Sequence, residues 1–84
     1  MATRYFFDVH NGDGEVIDGH GMLVSSADDL PREVGRIMAD IAKDEMPYDD
    51  HRGIVTVKVR DEEGRAISVG SLTFTYEAVA MAAE

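Results

Sequence analysis

The most informative segment of the chain reads Arg4-Tyr5-Phe6-Phe7-Asp8-Val9-His10, and Asn11-Gly12-Asp13-Gly14 follows it directly. Three adjacent aromatic residues are typical of a β-strand, and Asn-Gly is typical of a tight hairpin turn. Successive side chains of a strand point to opposite faces, so Tyr5 and Phe7 share one face and Phe6 takes the other. The segment therefore predicts a strand that carries an aromatic ring on both faces.

The first hairpin is predicted over residues 4–18, and two registers are compatible with its turn. A two-residue turn at Asn11-Gly12 places Phe7 opposite Val16 and Phe6 opposite Ile17. A four-residue loop over 11–14 pairs Val9 with Val16 instead. The first register is favoured because it places apolar residues opposite each other on both faces. The sequence Asp-Gly-His-Gly at 18–21 then predicts a flexible corner.

A helix is predicted over residues 27–45, because apolar residues recur there at steps of three and four. The stripe consists of Leu30, Val34, Ile37, Met38 and Ile41. Ser26 and Asp29 have capping-box spacing, and Pro31 delays the regular helix to Asp29 or Leu30. Gly35 is expected to mark a close approach between the helix and a sheet, and Pro47 to end the helix.

A second hairpin is predicted over residues 54–77. Val55, Val57 and Val59 alternate with polar residues, as in a half-buried strand, and the sequence at 61–64 predicts a turn. On the return strand Ile67 and Val69 take the face opposite the core unless a bulge at Gly70-Ser71 changes the phase. The small apolar tail over 78–84 is expected either to fray or to form a short helical turn.

These elements predict a single domain over 1–84 of the α+β class with the order β-β-α-β-β. Two hairpins are marginal alone, so a four-stranded sheet covered on one face by one helix is the economical arrangement. Numbered along the chain, the strands are expected in the antiparallel order 2-1-3-4.

The charge of the chain limits its partners. Seventeen acidic residues against eight Lys and Arg give a formal net charge of −9. Nucleic acid and anionic membrane surfaces are therefore not expected as ligands. The absence of cysteine excludes disulfides and thiolate chemistry. Neither a signal peptide nor an apolar run of membrane-spanning length is visible, so a cytoplasmic location is expected.

The opening motif Arg-Tyr-Phe-Phe-Asp-x-His-x-Gly resembles the start of a family of short, uncharacterised bacterial proteins common in alphaproteobacteria. Members of that family combine it with an Asp-rich glycine corner, an Ala/Leu-rich helix and a V-x-V-R-D-x-x-G-R hairpin. The matching positions are Arg4–His10, Gly12, Asp18, Ala39–Asp44 and Val57–Arg65. The resemblance extends from Arg4 to about Phe74 and departs from the family at Pro31 and Gly35. It implies a module with no established activity, cofactor or catalytic residue.

No catalytic signature accompanies these elements. His10 and His20, near several aspartates, are of the ligand types that suit zinc, manganese or iron, but their spacing matches no established ligand pattern. The serines lack a nucleophile setting, and the paired carboxylates fall in turns or at the helix start. The sequence therefore predicts no cofactor and no enzyme activity, with weak metal binding through His10 and His20 as a third-ranked reading.

Two binding functions remain. The sheet face away from the helix is expected to carry Phe6, Ile17, Ile67 and Val69, and an apolar patch rimmed by charge is a common mark of an interface. The first hypothesis is a protein–protein interaction module that self-associates through this face. The alternative is an acidic regulator that binds a basic protein through Asp44, Glu45, Asp49 and Asp50.

Overall fold

The computed structural model describes residues 2–12, 14–47 and 51–79. Its elements in chain order are β1 (Thr3–Asn11), β2 (Gly14–Val16), β3 (Met22–Val24), a 3₁₀ helix (Ala27–Asp29), α1 (Leu30–Glu45), β4 (Arg52–Arg60) and β5 (Ala66–Thr75). One helix thus packs on an antiparallel sheet, which confirms the predicted α+β class. Asp13, Asp49, Asp50 and the tail beyond 79 lie outside the described residues.

The sheet has the order β2-β1-β4-β5, and β3 also pairs with β1. The order predicted for four strands is confirmed, but the predicted number of strands was wrong because β3 was missed. Val16 pairs with Val9 of β1, and Met22 pairs with Tyr5. The two paired positions are six residues apart on the β2–β3 segment but only four residues apart on β1. Strands β2 and β3, each three residues long, therefore lie along the same edge of β1 and are joined by a corner that holds two extra residues.

The favoured register of the first hairpin was wrong. Val9 pairs with Val16, and Asn11 pairs with Gly14. The register that pairs Phe7 with Val16 would have placed Asp8 opposite Glu15. Like charges in directly opposed positions destabilise a sheet. In the observed register Glu15 lies opposite His10, and Gly14 adopts a φ of 133° that L side chains rarely accept.

The helix begins at Leu30, as Pro31 indicated. Ser26 is the N-cap of the preceding 3₁₀ turn, and its hydroxyl accepts a hydrogen bond from the Asp28 N–H at 3.1 Å. The expectation for Gly35 was wrong, since a Cβ added there would meet no atom within 4 Å. The close approach lies at Gly70 of β5, where an added Cβ would lie 2.7 Å from Val34 Cγ1.

The core lies between α1 and the inner face of the sheet. Val55, Val57 and Val59 of β4 are fully buried because β4 is flanked by strands on both edges and covered by the helix. Among the described residues, the other buried apolar ones are Phe7, Val24, Leu30, Val34, Ala42 and Phe74. The irregularity in the β4–β5 pairing occurs at Val59/Arg60, opposite Ala66 and Ser68, and so not at Gly70-Ser71.

Candidate interaction surface

The sheet face opposite α1 is here called the open face. Alternation from the buried valines assigns to it Ile54, Thr56, Lys58 and Arg60 of β4. Their cross-strand partners lie on the same face: Phe6, Asp8 and His10 on β1, and Val69, Ser71 and Thr73 on β5. This face thus combines apolar and charged side chains in adjacent rows.

An ion pair occupies the centre of the open face. Arg60 Nε donates to Asp8 Oδ2 at 2.6 Å, and Arg60 Nη2 donates to Asp8 Oδ1 at 3.0 Å. Asp8 is only 5% exposed, and its Oδ1 also accepts the Asp18 N–H at 2.9 Å. A buried carboxylate is tolerated because charged hydrogen bonds replace its lost hydration.

Asp18 organises the corner between β2 and β3. Its Oδ2 accepts the Phe7 N–H at 3.0 Å, and its Oδ1 accepts the N–H groups of His20 and Gly21 at 2.9 and 3.0 Å. Phe7 lies on the part of β1 that neither β2 nor β3 covers. The Asp18 carboxylate therefore takes the place of a strand carbonyl along this edge.

Both carboxylates favour their charged form. The hydrogen bond from Arg60 holds the pKa of Asp8 below its ordinary value, against the opposing effect of burial. Burial raises the pKa of Asp18, but the N–H groups of Gly21, Phe7 and His20 outweigh it and bring the pKa below its ordinary value. These shifts are those of a structural network in which every described buried side-chain N or O atom has a partner.

Phe6 lies on the open face but is half-buried. The Arg60 guanidinium lies over its ring at 5.1 Å from the centroid, a cation–π distance, and Gly21 packs beside it. The predicted pairing of Phe6 with Ile17 is absent, since β2 ends at Val16, which lies opposite Val9. Ile17 follows the end of β2 and is 61% exposed.

The β4–β5 half of the open face carries exposed apolar side chains. Val69 is 64% exposed, Ile67 47% and Ile54 57%. The sequence prediction had included Val69 and Ile67 but not Ile54, although the alternation around Val55 would have placed Ile54 on this face. We name these three residues the β4–β5 patch.

The predicted acidic patch is described only in part. Asp44 is exposed near the end of α1, and Glu45 Oε2 accepts a hydrogen bond from Asn11 Nδ2 at 2.8 Å. Glu45 therefore connects the helix end to β1. Asp49 and Asp50 lie outside the described residues.

The two predicted histidines are exposed, His10 on β1 and His20 in the corner. His10 lines a shallow depression of about 360 Å³ together with Asn11, Gly12, Ile54 and Thr56. Among residues 2–12, 14–47 and 51–79, no group of three or more His, Asp or Glu side chains is arranged to hold a metal ion.

Comparison with known proteins places the chain in a family. The family model of a domain of unknown function, DUF6894, matches residues 4–73 of the sequence. No curated protein and no solved structure matches the chain. The one α-helix within the described ranges is too short and too polar to cross a membrane. Because the match covers most of its length, the chain belongs to the DUF6894 family, a domain of unknown function.

Proposed function

We propose that this protein is a small, non-enzymatic protein–protein interaction module that self-associates through the β4–β5 patch. The observation that carries the proposal is the exposure of Ile54, Ile67 and Val69 on one side of the open face. Exposed apolar side chains that share a sheet face with charged residues are a common mark of an interface. A cytoplasmic location is part of the same proposal, as is an alphaproteobacterial source, which the motif at Arg4–His10 suggests.

The surrounding residues support this choice of surface. The β1 half of the open face is occupied by the Asp8–Arg60 ion pair and by the guanidinium above Phe6. Phe6 is half-buried beneath that guanidinium, so the β1 half offers a partner little exposed apolar surface. The contact is therefore narrower than the whole open face and leaves Ile17 outside it.

The test is the oligomeric state of a matched pair of variants, measured by sedimentation velocity at high micromolar concentration. Ile54→Asp places a charge inside the patch and is expected to reduce association about tenfold or more. Ile17→Asp makes the same change at a similarly exposed position outside the patch and is expected to have no effect. Equal association of both variants and the wild type would disprove the role of the patch.

A second candidate function rests on the uneven charge of the chain. Residues 1–50 contain twelve acidic and four basic residues, a net charge of −8, whereas 51–79 contain four of each and are neutral. The acidic part could engage a basic protein through Asp44, Glu45, Asp49 and Asp50.

The acidic candidate can be tested with a lysine-rich peptide. Combined Asp44→Asn, Asp49→Asn and Asp50→Asn substitutions are expected to weaken binding and its salt dependence. The control, Glu62→Gln with Glu63→Gln, removes two acids from the β4–β5 turn instead. Binding that is insensitive to salt, or equal loss in the two variants, would exclude this site.

A further inference from the structure

One edge of the sheet has few of the features that usually prevent strand pairing, since the β-bulge of β5 lies at its Ala66 end and leaves residues 68–75 regular. Among the described residues β5 pairs only with β4, so its other edge is free. Ala66–Thr75 is ten residues long and contains no charged residue and no proline. Native proteins usually protect such an edge with Lys, Pro or very short strands, because its backbone groups otherwise pair with another chain.

The hydrogen-bond pattern identifies the backbone groups at this edge. The Tyr76 N–H donates to the His51 carbonyl at 2.7 Å, so position 76 forms a hydrogen-bonded pair with 51. In an antiparallel ladder such pairs alternate with pairs that point their N–H and C=O groups away from each other. With Val57 opposite Gly70, the groups of Val69, Ser71 and Thr73 point away from β4.

A groove beside the same edge can receive side chains of an added strand. It has a volume of about 280 Å³ and lies between α1 and β5, lined by Pro31, Val34, Met38 and residues 68–71. An added strand would place alternate side chains on the helix side of the sheet, where this groove opens. The edge therefore offers both main-chain hydrogen bonds and apolar contact, the two components of strand addition.

The charge distribution favours a second copy as the occupant. The hairpin that bears the edge is neutral over residues 51–79, and α1 beside it has three basic and four acidic residues, so two copies that meet at β5 face little net repulsion. Because β5 has no charged residue, pairing it with the β5 of a second copy places no like charges opposite each other. Two-fold symmetry of an antiparallel pair makes the edge complementary to itself.

We propose that two copies of this chain pair their β5 strands in antiparallel orientation and form one continuous sheet across the dimer. This inference rests on the proposed self-association and adds its geometry. The β4–β5 patches of the two copies then lie side by side on the same face of the joined sheet, with Ile67 and Val69 next to the paired strand and Ile54 one strand further from it.

The test compares Ser71→Pro with Ser71→Ala in sedimentation velocity. Proline removes the Ser71 N–H that points to the free edge and leaves the pairing with β4 intact, and Gly70 before it has no Cβ to clash. Both variants lose the contact between the Ser71 and Thr56 hydroxyls, which lie 3.2 Å apart. We expect at least a tenfold weaker dimer for Ser71→Pro and a wild-type dimer for Ser71→Ala. A wild-type monomer at high micromolar concentration, or a Ser71→Pro dimer of unchanged strength, would overturn the proposal.

If Ser71→Pro unfolds the protein, Thr73→Lys provides an independent test of dimerisation through β5. It adds a charge to the exposed edge without altering the backbone, and is expected to weaken the dimer. Amide exchange supplies the signature of edge pairing: the Val69, Ser71 and Thr73 amides should be protected in the dimer and lose protection on dilution. Protection that does not change with dilution would contradict it. If Ser71→Pro abolishes the dimer and Ile54→Asp does not, edge pairing is supported and the role of the β4–β5 patch is disproved. If Ile54→Asp abolishes the dimer and Ser71→Pro does not, edge pairing is disproved and the role of the patch stands.

Discussion

Arg60 of β4 binds Asp8 of β1 through two hydrogen bonds, at 2.6 and 3.0 Å. The same guanidinium donates to the Asp18 carbonyl at 3.0 Å and covers the Phe6 ring. One side chain thus joins β4, β1 and the corner that leads to β3. The ion pair connects parts of the chain that are distant in sequence, and its contribution can be measured as a change in the free energy of unfolding.

Replacing Asp8 with Asn should destabilise the protein by about 2 kcal/mol, because a neutral amide cannot accept all three hydrogen bonds from Arg60 and the Asp18 N–H. Urea unfolding of the purified protein measures the change. Asp44→Asn, at an exposed helical position, is the control and should change the free energy of unfolding by less than about 0.5 kcal/mol. Equal effects of the two substitutions would show that the ion pair contributes nothing specific.

Asp18→Ala should loosen the corner between β2 and β3. It leaves the N–H groups of Phe7, His20 and Gly21 without their acceptor. The expected loss is about 1–3 kcal/mol, the usual cost of unsatisfied polar groups. Native-state hydrogen exchange should show faster exchange of the Phe7 amide, whereas an unchanged Phe7 rate would mean that its protection has another origin.

Acid should destabilise the wild type more than a variant without these carboxylates. The pKa values of Asp8 and Asp18 lie below ordinary in the folded state, so the unfolded chain binds protons first as the pH falls. Their contribution is complete above the unfolded pKa of about 3.9 and is lost as the pH drops through the lower folded values.

The measurement is the urea unfolding of the wild type and of Asp8→Asn/Asp18→Asn between about pH 6 and pH 3. The difference in free energy of unfolding between the two proteins should shrink toward the acid end of this range. A difference that stays constant would mean that neither carboxylate is stabilised in the folded state.

Two glycine substitutions should have opposite signs. Gly70→Ala should destabilise by about 1–3 kcal/mol, because its Cβ would lie 2.7 Å from Val34 Cγ1 and a β-branched side chain has little freedom to move. Gly35→Ala meets no atom within 4 Å in the interior of α1 and should stabilise by about 1 kcal/mol.

Thermal unfolding of both glycine variants, followed by circular dichroism, gives the sign directly. Loss of stability in Gly35→Ala would place the close approach of helix and sheet where the sequence had suggested it.

The sequence predicted the elements that depend on local periodicity. The valine alternation of β4 and the apolar stripe of α1 require only the geometry of a strand or helix and the burial of one face, so both were identified correctly. Pro31 likewise indicated a helix start close to Leu30, because proline lacks the backbone N–H that helical positions beyond the first turn need.

The surface was predicted less well, for a physical reason. Phe6 was assigned to the open face correctly, but nothing local to Phe6 shows that Arg60, 54 positions later, would cover it. Ile54 was missed on the same face, although alternation with Val55 contained the signal. The exposed surface depends on which charged side chains reach across strands, and that is a property of the pairing.

Local chemistry along the aromatic segment at 4–10 therefore determined that it forms a strand and which face each ring takes. The hairpin register, the short strand β3, the closeness of Gly70 to the helix and the free edge of β5 were decided only by tertiary structure. The face of a side chain follows from the period of one strand. Register and edges instead depend on long-range partners, here the pairing of Asp8 with Arg60 and of Asp18 with the β1 backbone.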